Sequence, residues 1–285
     1  MRLRLSPLSA ATGEALPEIA GLLERVFPRA RPWAPDLEWQ YLRNPAGVTR
    51  YVNGYAETGE LIAHYAVQPM VPLAEPPFAF AGTYFPLNTA VHPAARVPGL
   101  MVATARALFR ELERLGPALV LGVANENSFP AYVRMLGFRS LGRLSLTLHA
   151  PGTLPAVVVP RALGHDAAHL AWRTRRPGVA AYGEPGRGAL TVRLRHRGVG
   201  LDAVLSTGLP GDLIAGLGLA RPARWAPRLY AAFGGRVGGG LPVPGRLRPS
   251  PLEYVMRVLG DPALAEPVAR HLGARRFEFL DFDVV

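Results

Sequence analysis

The alternation of apolar and polar residues predicts a helix near the start of the chain. An apolar residue at every third or fourth position marks one helix face, which consists of Leu16, Ile19, Ala20, Leu23 and Phe27. Pro28 follows this face directly and ends the helix. A short strand is expected over residues 2–5. A second, shorter helix is expected over residues 36–43, with Asp36 as its N-cap.

The pattern then changes to that of strands. Apolar runs over residues 51–56 and 61–67 enclose Glu57-Thr58-Gly59-Glu60, a turn sequence that predicts a hairpin. A longer strand is expected over residues 78–91. Pro86 lies within this strand and predicts a bulge or a register break, because proline has no N–H to donate to a neighbouring strand.

One long helix, a buried strand and a shorter helix complete the first half. Residues 98–115 carry a single apolar helix face, and residues 118–123 are apolar throughout, which is typical of a buried central strand. A helix over residues 129–136 ends at Gly137, a left-handed cap. A single strand over residues 140–148 follows.

The second half repeats a part of this order. Residues 37–45 contain Trp39 and end in proline, and residues 170–177 contain Trp172 and also end in proline. A pair of strands follows in both halves, here over residues 189–195 and 201–205. We interpret the second half as a degenerate copy of the first.

The chain length agrees with two domains. With 285 residues, of which 49% are hydrophobic, the chain can form two cores of ordinary size. The domains are expected at residues 1–150 and 162–285, and the proline-containing segment 151–161 is the expected linker.

Two strands and a glycine-rich run are expected near the end. The strands span residues 224–233 and 276–285, and the run spans residues 234–240. A nucleotide-binding glycine fingerprint must open a helix, but Leu-Pro-Val-Pro follows this run. We interpret it as a loop.

Composition narrows the range of functions. There is no cysteine, which excludes disulfides, thiolate metal sites and a cysteine nucleophile. No apolar run approaches the roughly 18 residues of a membrane span, and a cytoplasmic protein without a membrane partner is expected. The formal charge is +11, with every basic residue an arginine. The arginines of residues 193–197 alternate as on one face of a strand, so nucleic-acid binding is not favoured.

Two stretches resemble the motifs of the GNAT (GCN5-related) N-acetyltransferase family. Val91-x-Pro93-x-x-Arg96-x-x-Gly99 is similar to the pyrophosphate loop of that family, although Met101 stands where glycine or alanine is usual. Asn125-x-Asn127 through Leu136-Gly137-Phe138 is similar to the second motif, in which an asparagine opens a helix that ends in Leu-Gly-Phe. The resemblance implies an α/β fold, a mixed twisted sheet flanked by helices, in two similar domains in tandem.

The resemblance also implies a co-substrate, acetyl-CoA or another acyl-CoA, and no metal. The pantetheine arm would lie between two parallel strands that separate, and the pyrophosphate would lie at a helix N-terminus, where N–H groups and the helix dipole favour an anion. Pro98 would occupy the first position of that helix. The implied cofactor-binding residues are Thr89, Ala90, Val91, Arg96, Val97, Gly99, Leu100, Met101, Asn125 and Asn127.

The implied reaction is direct attack of an amine on the thioester. The family often uses a tyrosine on the helix of the second motif as general acid, and Tyr132 is the candidate, although it lies five residues before Gly137 where the family pattern has four. No glutamate lies on the preceding strand. Asn88, which could position a water, and His92 or His64, whose reference pKa of about 6.5 suits a base, are the remaining candidates.

Two other functions remain open at this stage. The chain could bind acyl-CoA without turnover, or it could be an aminoacyl-transferring relative that uses aminoacyl-tRNA. A homodimer is also left open. His165 and His169 have the spacing of two helical zinc ligands, but no third ligand is evident, and we expect a polar helix surface there.

Overall fold

The computed structural model describes residues 4–28, 33–73, 78–95, 99–157, 159–196, 199–223, 226–233, 238–244 and 251–281. Within these ranges no helix combines the length and the apolar character that crossing a membrane requires. The remaining residues, among them Arg96, Val97 and Pro98 and part of the glycine-rich run, lie outside the described ranges.

Within the described ranges the first sheet is mixed and contains eight strands. These are β1 (Arg4–Leu5), β2 (Ser9–Ala10), β3 (Arg50–Tyr55), β4 (Leu61–Met70), β5 (Gly82–Val91), β6 (Ala118–Ala124), β7 (Arg139–Arg143) and β14 (Glu253–Leu259). Their order is β1-β3-β4-β5-β6-β14-β7, with β2 also paired to β3. The β5–β6 pair is parallel and the other pairs of this sheet are antiparallel.

Helices cover both faces of this sheet. On one face lie α1 (Leu16–Val26), α2 (Trp33–Leu37) and a π-helical turn (Glu38–Leu42), which share a buried core with β3, β4 and β5. On the other face lies α3 (Leu100–Leu115), whose apolar side packs on β3, β4 and β6. The fold class predicted from the sequence, a mixed sheet flanked by helices, is confirmed.

The second sheet belongs mostly to the second half of the chain. Its strands are β8 (Ser145–His149), β9 (Ala181–Glu184), β10 (Ala189–His196), β11 (Val199–Ser206), β12 (Arg228–Phe233), β13 (Leu241–Pro242) and β15 (Phe277–Glu278). Their order is β13-β8-β12-β11-β10-β9, with β15 also on β12. The helices of this half are α4 (Ala167–Thr174), α5 (Gly211–Gly216) and α6 (Ala265–Gly273).

The two halves exchange a strand. β8 leaves the first half and lies beside β12, and β14 leaves the second half and lies beside β6. β14 lies between β6 and β7, and β8 lies between β12 and β13; β6 and β12 are each one member of a parallel pair. The expected division at residue 150 therefore assigns β8 to the first domain although it lies in the second sheet, and β14 to the second domain although it lies in the first sheet. The division itself stays a prediction.

Several predicted elements have different bounds. The single strand over residues 140–148 is wrong, because the chain breaks at Leu144 between β7 and β8, which enter different sheets. The second helix begins at Trp33, so Asp36 is not its N-cap; the Asp36 side chain is buried and pairs with Arg176 at 3.5 Å. At the C-terminus, β15 is shorter than the predicted strand, and residues 282–285 lie outside the described ranges.

Candidate functional site

The parallel strands β5 and β6 are paired only where they begin. Gly82, Thr83 and Tyr84 pair with Ala118, Leu119 and Val120, and no pair follows although β5 continues to Val91 and β6 to Ala124. Pro86 comes two residues after the last pair and has no N–H with which to extend it. A gap therefore opens between the carboxyl ends of the two strands. The separation of the strands agrees with what the family resemblance implied.

A β-bulge lies on the β5 side of this gap. Leu87 pairs with Ala66 and Ala90 pairs with His64, so Asn88 and Thr89 together oppose the single residue Tyr65. Asn88 has a φ of 48°, a left-handed conformation that asparagine tolerates better than most residues. On the β4 side Pro86 pairs regularly with Val67, so the bulge lies two residues later than Pro86; on the β6 side the pairing ends at Tyr84, before Pro86.

Tyr132 lies beside this gap. A Cβ built on Gly122 of β6 would come within 3.3 Å of Val255 of β14, 3.7 Å of the Tyr132 ring and 3.8 Å of Pro86 of β5, so the ring packs close to both strands of the gap. The Tyr132 oxygen accepts a hydrogen bond from the Tyr65 hydroxyl at 3.3 Å, and the Thr89 side chain is a second polar neighbour. The hydroxyl hydrogen of Tyr132 is not used in the bond with Tyr65. Burial raises the pKa of Tyr132, so it keeps this hydrogen at neutral pH.

A π-helical turn explains the unusual spacing of Tyr132. Ala131–Met135 form this turn, closed by the Leu136 N–H, which donates to the Ala131 carbonyl at 3.0 Å. A π turn holds one residue more than an α turn, so it accommodates one extra residue between Tyr132 and Gly137. Gly137 has a φ of 68°, as predicted for a left-handed cap. The extra residue therefore does not rotate Tyr132 away from the gap.

The N-terminus of α3 lies just beyond the end of β5. Gly99 has a φ of 84° and is the N-cap, since its carbonyl accepts the Ala103 N–H at 2.8 Å. The N–H groups of the first three helical residues, from Leu100 to Val102, have no acceptor within the helix. A Cβ at Gly99 would meet nothing within 4 Å among the residues that the structure describes. The helix begins two residues later than predicted.

Solved structures share this arrangement of strands and helices. A conserved protein of Enterococcus faecalis V583, described as a probable N-acyltransferase, is 14% identical and has a TM-score of 0.56, over 91% of this chain and 73% of its own. A GCN5-related N-acetyltransferase from Anabaena variabilis is 11% identical and has a TM-score of 0.56, over 89% and 72% of the two chains. Eis1 from Mycobacterium abscessus is 14% identical and has a TM-score of 0.52, over 97% and 82%. The chain has the GNAT fold. No family model matches the sequence, and no curated protein matches it significantly.

Two other predicted cofactor residues of this GNAT fold lie at the turn after β6. The Asn125 side-chain oxygen accepts the N–H groups of Asn127 and Ser128 at 3.1 and 3.0 Å, so it caps the turn that leads to Tyr132. The Asn127 side chain is exposed. Met101, the departure from the family motif, packs against the core under α3.

The two histidines near β5 differ in their surroundings. His64 is buried, with Nε2 2.9 Å from the Tyr41 hydroxyl and Nδ1 2.7 Å from the Asn53 oxygen, and burial lowers its pKa to about 3. A buried ring with both nitrogens occupied is unsuited to take a proton from a substrate. His92 follows β5, and its Nδ1 accepts the Ala94 N–H at 3.2 Å.

Sequence reasoning missed the residues that hold the bulge. Gln40 and Tyr41, on the π-helical turn after α2, contact the Asn88 side chain, and Tyr65 contacts Tyr132. All three are fully or almost fully buried. Their apolar neighbours made them indistinguishable from core residues, so the sequence carried no signal for them.

The corresponding gap of the second half is filled by the chain itself. β11 and β12 pair only at Asp202–Arg228 and Ala203–Leu229. Beyond these pairs, β15 pairs with β12 and the Leu280 N–H donates to the Leu205 carbonyl at 2.9 Å, so the segment from Phe277 to Leu280 lies between the two strands. Within the described residues, the space between β11 and β12 is therefore occupied, unlike that between β5 and β6.

Buried ionic contacts hold this C-terminal segment in place. The Glu278 carboxylate accepts hydrogen bonds from Tyr230 at 2.7 Å, from Ser206 and from Arg161 at 3.2 Å. Asp281 accepts a hydrogen bond from His165 at 2.7 Å.

The predicted polar surface at His165 and His169 is wrong. Both side chains are buried, and their rings stack 4.6 Å apart. Among the described residues no group of three or more metal-ligating side chains is found.

Proposed function

We propose that the chain is an acyl-CoA-dependent N-acyltransferase that works in the gap between β5 and β6. The observation that carries this proposal is the position of Tyr132. Its ring packs beside the separated strands, its oxygen accepts a hydrogen bond from Tyr65, and its own hydrogen would be available to a ligand. The likeness to solved GNAT proteins supports a transferase of this class.

The residues around the gap fit an acyl-CoA. The pantetheine arm would pair with the backbone of Thr89, Ala90 and Val91, as an added strand does at a sheet edge. The pyrophosphate would lie at the helix N-terminus, where the N–H groups of Leu100 and Met101 have no helical acceptor and Gly99 carries no side chain. Arg96 and Val97 lie outside the described residues, and their roles stay a prediction.

The reaction would form a C–N bond and break a C–S bond. The amine attacks the thioester carbonyl, and a backbone N–H freed at the bulge would stabilise the developing oxyanion. When the C–S bond breaks, Tyr132 would donate its hydrogen to the sulfur. The nitrogen then loses one proton, which regenerates neutral Tyr132 through solvent.

We further propose that the chain is a tandem duplication in which only the first half is catalytic. Each half carries a parallel strand pair joined by a helix, β5–α3–β6 and β11–α5–β12, and each gives one strand to the other sheet. The filled gap in the second half supports a single co-substrate site.

The test is thermal-shift titration and turnover with the full chain. Acetyl-CoA is expected to stabilise the protein, and benzylamine, spermidine, glucosamine and an alanine-terminated peptide serve as acceptors in an assay of thiol release. Stabilisation together with thiol release from at least one acceptor supports the proposal. Stabilisation without thiol release indicates a protein that binds acyl-CoA without turnover. If acetyl-CoA neither stabilises the protein nor releases thiol, the proposed acyl-CoA site is overturned.

A further inference from the structure

A continuous row of hydrogen bonds connects the bulge beside Tyr132 to the protein surface. We call it the polar network; its members are Glu18, Tyr55, Asn53, His64, Tyr41 and Asn88. The hydrogen bonds measure 3.0 Å between Glu18 and Tyr55, 3.1 Å between Tyr55 and Asn53, and 2.7 Å between Asn53 and His64. They measure 2.9 Å between His64 and Tyr41 and 3.3 Å between Tyr41 and Asn88. Glu18 is exposed on α1, whereas His64 and Tyr41 are almost fully buried.

The polarity of this network follows from the group at its outer end. An ionised carboxylate can only accept hydrogen bonds, so the Tyr55 hydroxyl donates to Glu18. The Tyr55 oxygen is then left to accept, and Asn53 must present its amide nitrogen to Tyr55 and its oxygen to His64. His64 consequently carries its hydrogen on Nδ1.

The same logic continues to the inner end. His64 is neutral, since burial lowers its pKa to about 3, and with its hydrogen on Nδ1 its Nε2 is a bare acceptor. The Tyr41 hydroxyl donates to this nitrogen, so its oxygen accepts from Nδ2 of Asn88. The other hydrogen of Nδ2 goes to Oε1 of Gln40 at 2.8 Å.

Both N–H groups of the Asn88 amide are thus used within the protein. Its carbonyl oxygen Oδ1 has no hydrogen-bond partner among the residues that the structure describes, and the side chain is half-buried. Asn88 is the neighbour of Thr89, which contacts Tyr132. An amide oxygen held beside the reaction gap is an acceptor for the N–H of an amine.

We propose that Oδ1 of Asn88 accepts a hydrogen bond from the acceptor amine, and that Glu18 fixes this orientation through the polar network. The proposal rests on the acyltransferase function proposed above. In this role Asn88 binds and orients the acceptor amine. The lone pair of the amine nitrogen stays free to attack the thioester. Because an amide is not basic, Asn88 does not remove the amine proton.

The first test changes Asn88 itself. Asn88→Ala is expected to raise the KM of the best acceptor in the four-amine panel about tenfold, as expected for one lost hydrogen bond, with the KM of acetyl-CoA within about twofold of the parent value. An unchanged amine KM in a protein that turns over overturns the inference and leaves the proposed function standing.

The second test changes the far end of the network. In Glu18→Lys the carboxylate that orients Tyr55 is gone, so the Tyr55 hydrogen can turn toward Asn53 and the network can reverse. The amine KM is expected to rise about fivefold. Glu24→Lys is the matched control, because Glu24 is also exposed on α1 and the charge change is the same. Equal amine KM values for the two variants overturn the role of Glu18.

A spectroscopic measurement tests the polarity without any turnover. A long-range ¹H–¹⁵N spectrum of the parent protein is expected to show His64 with hydrogen on Nδ1 alone, and Glu18→Lys is expected to add the Nε2–H tautomer. The signals are assigned with His64→Gln. A parent His64 protonated on Nε2 overturns the proposed orientation of Asn88, whether or not the protein is active.

Discussion

Trp39 and Trp172 hold the two halves together in a reciprocal contact. Their rings stack 4.6 Å apart at an angle of 14°, and both are buried. The Trp39 indole N–H donates to the Trp172 carbonyl at 2.9 Å, and the Trp172 indole N–H donates to the Trp39 carbonyl at 3.0 Å. Two copies of one sequence element that meet around a two-fold axis would make such a contact.

This reciprocity predicts equal effects of the two matching substitutions. Trp39→Phe and Trp172→Phe each remove one indole N–H and leave one carbonyl without its donor, at a cost of about 1–3 kcal/mol in the free energy of unfolding. Urea unfolding of both single variants and the double variant measures the costs. Because the residues touch, the double variant is expected to lose less than the sum of the single losses. Additive losses would contradict direct coupling.

The filled gap of the second half predicts one acyl-CoA per chain. Isothermal titration with acetyl-CoA is expected to give a stoichiometry of one, because the segment from Phe277 to Leu280 lies between β11 and β12. Two binding sites of similar affinity would contradict the proposed role of the second half.

Gly99→Ala places a side chain at a φ of 84° and is expected to weaken the binding of acetyl-CoA in the same titration by disturbing the α3 N-terminus.

Replacing Tyr132 by Phe removes the proposed acid and keeps the ring. We expect kcat to fall about a hundredfold or more, with little change in the dissociation constant of acetyl-CoA. Tyr65→Phe is the matched control, since it removes one hydrogen bond to Tyr132 and leaves the Tyr132 hydroxyl in place. It is expected to be much milder. Unchanged turnover in Tyr132→Phe would remove Tyr132 from the mechanism.

The pH dependence of turnover follows from the same residue. Because burial raises the pKa of Tyr132, the protonated, donating form persists above the ordinary tyrosine value of about 10. The kcat profile is therefore expected to show no decline from loss of this proton below about pH 10. A decline near pH 8 that disappears in Tyr132→Phe would contradict the raised pKa.

Two buried histidines predict a loss of stability in weak acid. Burial lowers the pKa of His64 to about 3 and that of His169 to about 2, so both are neutral in the folded protein while their unfolded pKa is about 6.5. The contribution of each neutral histidine to the free energy of unfolding is complete above about pH 6.5. It declines as the pH falls toward the pKa of that histidine in the folded protein, by up to about 1.4 kcal/mol per pH unit.

Urea unfolding between pH 7 and pH 5 measures this slope. In His64→Gln the free energy of unfolding is expected to change less steeply with pH, because one proton fewer is taken up on unfolding. The variant is nevertheless expected to be less stable than the parent at pH 7. A variant with the same slope as the parent would show that His64 does not stay neutral in the fold.

Much of the local structure was determined by the sequence alone. The apolar faces of α1 and α3, the turn at Gly59, the cap at Gly137 and the strand over β6 follow from spacing and from backbone preferences that act within a few residues. The echo between the stretches around Trp39 and Trp172 was likewise visible before their contact was known.

Only the tertiary structure decided which strands pair and what closes each gap. An alternating strand shows which side chains share a face, but β8 and β14 have the same alternation in either sheet, so their exchange depends on distant partners. The bulge at Asn88 and the polar network likewise depend on contacts between residues far apart in the chain. Such contacts decide where Tyr132 lies, because a helical residue is positioned by what packs around it as well as by its own turn.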